Sequence, residues 1–159
     1  MLKRILSLTV IFSSLFVTSA FAEVAEETAY ILNSFLFLVS GFLVMLMALG
    51  FCLLESGMVT SKSVSAIAAK NIGLYSISGI MFWLVGYNLA YGIPEGGYIG
   101  SFTTWTDGSA LADGYSASSD WFFQMVFCAA TASIVSGTLA ERIKIWPFFL
   151  FAAILTGII

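Results

Sequence analysis

Apolar positions dominate three long stretches of the chain, 30–54, 72–91 and 120–140, each bounded by polar or charged residues. An α-helix needs about 20 predominantly apolar residues to cross roughly 30 Å of hydrocarbon, so each stretch predicts a membrane-spanning helix. A fourth apolar run, 146–159, would rise only about 21 Å as a helix and predicts a span that the chain leaves incomplete. Segment 92–119 is rich in Gly, Ser, Thr and Asp and contains Pro94, the composition of an exterior loop. Its aromatic pair, Phe102 and Trp105, either anchors at the interface or packs back onto the outer ends of the spans. The expected fold class is all-α, a polytopic membrane helix bundle, because lipid leaves backbone groups no partner except within the helix itself.

Charge orients the spans. Lys62, Lys70, Arg142 and Lys144 flank the two short connections, whereas 92–119 carries Glu95, Asp107 and Asp113 and no base. Basic residues are retained on the cytoplasmic side, so the first span runs inward, with Tyr30 and Asn33 near the outer headgroups and the mature N-terminus outside. The second span returns with Trp83, Tyr87 and Tyr91 in its outer half, and the third opens at Asp120, read as an N-cap. Residues 1–22 predict a secretory signal peptide: Lys3 and Arg4, an apolar run too short to span, then Ala20-Phe21-Ala22 ahead of Glu23, Glu26 and Glu27. An uncleaved first helix is the alternative. With 60% hydrophobic and 9% charged residues and a mean hydropathy of +1.01, a soluble domain would lack polar groups to cover its surface. No basic stripe points to nucleic acid, and Cys52 and Cys128 fall inside spans, where cysteine acts as a small apolar filler.

The faces of the spans carry the candidate chemistry. Ala129, Ser133, Ser136, Gly137 and Ala140 recur at helical spacing on one face of the third span, and Gly79, Gly86 and Ala90 make a similar stripe on the second. Small residues let helix backbones approach closely in lipid, so both spans belong in a bundle larger than three helices. The chain has no histidine, no metal-ligand cluster and no serine or cysteine with a base in its own span, so neither catalytic residues, metal site nor cofactor is expected and the protein reads as a non-enzyme. Gln124, Thr131, Ser133, Ser136 and Thr138 either bond across helices or line the path of a solute. Glu55, at the cytoplasmic end of the first span, is read as architectural, reaching water or pairing with Lys62 or Arg142. Phe123 and Phe127 lie four apart on one face with Thr131; two such rings are packing or, if the face lines a pore, exclude a hydrated ion while favouring a small desolvated cation.

The run GFCLLESGMVTSKSVSAIAAKNIGLYSISGIMFWLVGYNLAYG, from Gly50 to Gly92, and the run FFQMVFCAATASIVSGTLAERIKIWPFFLF, from Phe122 to Phe151, resemble ammonium transporters of the Amt/Mep/Rh family. The resemblance implies a bundle of eleven spans built from two inverted repeats of five, assembled as a homotrimer with one pore per subunit. This chain would supply a signal peptide, 1–22, and about three and a half spans, 23–159, of a multi-pass bacterial inner-membrane protein. The implied activity is passage of ammonium or ammonia through a hydrophobic pore, with Phe123 and Phe127 matching the two phenylalanines at its outer entrance. The family's paired pore histidines, the tryptophan of its recruitment site and a supporting acid would lie beyond residue 159. A PII-type regulatory protein is an implied partner, and an ammonium sensor on the same scaffold is the alternative function. Ser56 stands where alanine is usual in the family and Ser63 where asparagine is usual.

Overall fold

The computed structural model describes residues 25–159, so the expected signal peptide at 1–22 lies outside the described residues. Among the described residues, four long helices follow one another: α1 (Glu26–Met58), α2 (Val64–Tyr91), α3 (Ala117–Thr138) and α4 (Ile145–Gly157). The first three are long and apolar enough to cross a membrane, and the described residues contain no strand. The chain is thus a multi-pass membrane helix bundle.

α1 is 33 residues long and rises about 50 Å, well beyond the hydrocarbon thickness, so it tilts or projects into the headgroups. Glu26 and Glu27 occupy its first turn, where carboxylates complement the helix dipole. Phe35, Leu36, Leu43, Leu46 and Leu53 point outward, and only Gly41 and Glu55 are buried. Gly41 lies close against α3: a Cβ there would stand 2.7 Å from the Phe122 ring.

α2 is α-helical over Val64–Met81, widens into a π-turn over Phe82–Gly86 and resumes over Tyr87–Tyr91. Such widened turns leave carbonyls open to other partners, and here the Trp83 carbonyl accepts the Trp105 N–H at 2.9 Å. Gly86, the last residue of the π-turn, lies against α4, where an added Cβ would come within 2.7 Å of the Thr156 carbonyl oxygen. Gly79 faces Met125 of α3 at ordinary contact distance. The small-residue stripe of α2 therefore serves two neighbours. Packing between the helices centres on two clusters, Leu74, Ala132, Phe148 and Ala152 in one and Phe82, Met125 and Val126 in the other, the second nearer the loop between α2 and α3.

Three local expectations are corrected. α3 begins at Ala117 after Ser116, whose backbone is extended, so Asp120 is not the N-cap; it lies in the first turn, buried, with its carboxylate turned toward α2. Lys70 does not flank a connection, because α2 starts at Val64 and carries Lys70 more than a turn into the helix, where it is 6% exposed. Glu55 therefore pairs with neither Lys62 nor Arg142 but with Lys70, at 3.0 Å.

The loop between α2 and α3 is tied down at several points. Asn88 Nδ2 donates to the Thr103 carbonyl and hydroxyl, the Gly100 N–H to the Leu89 carbonyl, and Asn33 Nδ2 to the Gly114 carbonyl. Gly114 has φ 76, a left-handed conformation that costs glycine nothing. Asp107 accepts from the Ser109 and Ser118 hydroxyls and the Ser109 N–H, which hold its carboxyl below the usual range, the Ser109 hydroxyl contributing most. On the opposite end of the bundle, Glu141 sits at φ 60 and accepts from the Thr60 hydroxyl and N–H, joining the two short connections; the Thr60 hydroxyl is the main cause of its lowered pKa.

Candidate functional site

At the end of the bundle that carries the loop between α2 and α3, the loop and helices bring aromatic rings together. Trp105 returns from the loop to pack on Tyr87 and Trp121, with ring centroids 6.2 and 5.4 Å apart, seated there by its N–H bond to the π-turn. Phe102, in contrast, is 70% exposed, so only one of the two loop aromatics packs back. Phe123 and Phe127 meet edge to face at 5.0 Å, and Phe37 of α1 adds a third ring at 5.4 Å from Phe123. Edge-to-face contact aligns the positive rim of one ring with the negative face of the next, which fixes the stack.

The exposed arc of α3 continues from this stack. At about 100° per residue, Gln124, Phe127, Thr131, Ile134 and Thr138 fall within roughly 80° of one another. Phe127, Thr131, Ile134 and Thr138 are exposed, and Gln124 is half-buried. The opposite face, with Ala129, Ala132, Ser133 and Ser136, is buried against α1, α2 and α4. Gly137 of the expected close-packing stripe departs from it and opens on a cavity of about 760 Å³ between α1 and α3, with Leu54, Glu55, Ile134 and Thr138 in its wall. Thr131 donates its hydroxyl to the Phe127 carbonyl, and Ser133 donates to Ala129, so both satisfy themselves within the helix. The arc carries Gln124 and Phe127 toward the loop between α2 and α3, and Thr131, Ile134 and Thr138 away from it.

Beside Phe127, a chain of hydrogen bonds links α2 to α3. Asp120 Oδ2 accepts the Tyr87 hydroxyl at 2.7 Å, Asp120 Oδ1 accepts Gln124 Nε2 at 3.2 Å, and Gln124 Oε1 accepts the Tyr91 hydroxyl at 2.9 Å. Sequence reading singled out Gln124 for hydrogen bonding, but gave Asp120 as a cap and Tyr87 and Tyr91 as interfacial anchors and did not link the four. The helical spacing of Asp120 to Gln124 and of Tyr87 to Tyr91, each four residues, is the signal that would have found them.

At the end of the bundle away from that loop, Lys70 of α2 reaches all three neighbours. Its Nζ pairs with Glu55 Oε2 of α1 at 3.0 Å, donates to the Ser136 carbonyl of α3 at 3.1 Å and lies 5.1 Å from the centre of the Phe148 ring of α4. Asn71 Nδ2 adds a bond to Glu55 Oε2 at 3.0 Å. Glu55 is thus held by a buried cation and an amide, away from the aromatic stack, and it does not join Phe123 and Phe127. Among the described residues, no group of His, Cys, Asp and Glu side chains is arranged to hold a metal.

The Ammonium Transporter Family profile matches residues 34–159, which hold every side chain of both clusters. The chain belongs to the ammonium transporter family. Among similar relatives, Ammonium transporter Amt2 of Archaeoglobus fulgidus is 35% identical over 142 residues, covering 87% of this chain and 29% of that protein. A putative ammonium transporter of Synechocystis is 31% identical over 138 residues, 84% of this chain and 31% of the relative. Ammonium transporter Amt2 of Methanocaldococcus jannaschii is 34% identical over 128 residues, 79% and 30% respectively. The chain therefore spans about three tenths of the length of these relatives. The family is one of transporters, and the arc of α3 is one of several exposed faces of these helices, beside the outward faces of α1 and α4.

Proposed function

We propose that the full-length protein carries ammonium or ammonia across the membrane along a path bounded by the exposed arc of α3, with Phe123 and Phe127 at its outer entrance. The observation that carries this reading is the phenylalanine pair itself: it heads an exposed arc of α3 that carries Thr131, Ile134 and Thr138, in a chain of the ammonium transporter family. A bare cation in hydrocarbon is strongly disfavoured, and the negative faces of the rings offset part of that cost as hydration is shed. Ammonium and potassium match in charge and nearly in size, so discrimination needs directed hydrogen-bond acceptors rather than width alone.

The orientation that supports this function places the N-terminus of α1 outside, with Lys62, Arg142 and Lys144 in the cytoplasm and the Asp107 loop exterior, in accord with the retention of bases inside. We assign the protein to the bacterial inner membrane in nitrogen uptake, entering by a cleaved signal peptide at 1–22, with a homotrimer as its assembly, a PII-type protein as regulator and no catalytic role. Gln124 stands beside the path and Thr131 within it, while Glu55 is architectural. Methylammonium uptake by the full-length protein in cells lacking their own ammonium transporters tests the reading. Saturable uptake that ammonium inhibits supports it; absent uptake, with the protein in the membrane and an unrelated solute still entering, overturns it.

A further inference from the structure

We infer that the Tyr91 phenol oxygen is an acceptor site for the incoming cation, and that Asp120 sets its polarity through Gln124. The inference rests on the transport reading and adds to it a residue outside the phenylalanine stack. Its basis is the direction of the hydrogen bonds. Asp120 is 8% exposed and receives the Tyr87 hydroxyl on one oxygen, leaving the other to accept from Gln124. Gln124 must turn its NH₂ group to the carboxylate, so its carbonyl oxygen faces Tyr91. The Tyr91 hydroxyl then has one choice: its only proton goes to Gln124, and its lone pairs remain for an external donor.

The placement suits a small cationic donor. Tyr91 is 54% exposed at the outer end of α2, its ring packs 5.1 Å from Tyr87, and its partner Gln124 stands on the same arc of α3 as Phe127. Ammonium has four N–H donors and no acceptor, so a hydroxyl free to rotate would present its proton part of the time and repel it. Fixing the rotor removes that orientation, and the Asp120 charge behind the amide polarises the chain in the same sense.

Two measurements on the full-length protein test this: methylammonium uptake in transporter-lacking cells, and ammonium binding to the purified protein by titration calorimetry. Tyr91→Phe raises KM and weakens binding about five- to tenfold, the worth of one partly exposed hydrogen bond to a charged donor, with the maximal rate near that of the parent. Asp120→Asn reverses the chain: the new NH₂ faces the Gln124 carbonyl, the Gln124 NH₂ turns to Tyr91, and the phenol must point its proton outward. Its KM rises although Tyr91 is intact, and combining it with Tyr91→Phe adds nothing further. A merely structural Asp120 would give additive losses, which overturns the coupling, and unchanged KM and affinity in Tyr91→Phe overturn the site even where Asp120→Asn fails to reach the membrane. A parent that binds ammonium without carrying it refutes the transport reading alone, and the binding arm then decides the site.

Discussion

Removing the Lys70 ammonium while leaving Glu55 in place strands a buried acidic side chain among the helices. Both side chains are almost wholly enclosed, 7% and 4% exposed, and stand 3.0 Å apart. At an effective dielectric near 20 their gross attraction is about 5–6 kcal/mol, most of it offset by the desolvation of both ions. The pair's net worth is therefore small, but the cost of orphaning one partner is not: breaking such a pair costs about 3–5 kcal/mol. In Lys70→Met, Glu55 keeps only the Asn71 amide, its Oε1 already lacks a hydrogen-bond partner among the described residues, and the Ser136 carbonyl and Phe148 ring lose their cation. Unfolding of the full-length protein in mixed micelles with increasing sodium dodecyl sulfate, followed by tryptophan fluorescence, reads the difference. Lys70→Met loses about 3–5 kcal/mol, and adding Glu55→Gln, which removes the stranded charge, restores more than half of it. A loss below about 1 kcal/mol in the single variant, or no recovery in the double, would refute the claim that Glu55 and Lys70 support one another in the bundle interior.

Three further outcomes follow from the geometry. Gly86→Ala forces a methyl to within 2.7 Å of the Thr156 carbonyl, so α2 and α4 separate at a cost of about 1–3 kcal/mol in the same unfolding assay, whereas Gly50→Ala, which meets nothing within 4 Å, does not destabilise. Asp107 has its pKa lowered by the Ser109 and Ser118 hydroxyls, so its contribution to loop order is present above the unfolded carboxylate pKa of about 3.9 and fades as pH falls through the lower folded value; amide exchange in 105–118, corrected for intrinsic rates, stays protected at pH 5 and rises toward pH 3, a change that Asp107→Asn abolishes. Phe127→Ala alters methylammonium flux or the discrimination against potassium, while Phe35→Ala, on the outward face of α1, leaves both unchanged; equal kinetics in the two would reduce Phe127 to packing.

The spans were legible because a bilayer demands long apolar runs, and the buried and open faces of α3 because the helix repeat places Ala129, Ser133 and Ser136 opposite the arc of Phe127 and Ile134. What escaped depends on contacts between runs. A lysine near a span boundary reads as a flank, and only the start of α2 at Val64 turns Lys70 inward to Glu55. An aspartate at the head of an apolar run reads as a cap, but Ser116 already turns the chain into the helix and frees Asp120 for Tyr87. Nothing in Phe82–Gly86 signals a π-turn, so the bond that seats Trp105 rather than Phe102 could not be anticipated from composition. Glu141 at φ 60 is another such case, a strained backbone held by Thr60 from a different connection.

The central claim is that the open arc of α3 borders the path of the transported species. Single cysteines introduced along α3 in a full-length background with Cys52 and Cys128 replaced test it most directly, using a water-soluble thiol reagent with and without saturating ammonium. Cysteines at 127, 131, 134 and 138 should label and be protected by ammonium, whereas those at 126, 129, 133 and 136 should not label. Labelling that ignores ammonium, or that favours the buried positions, would contradict it.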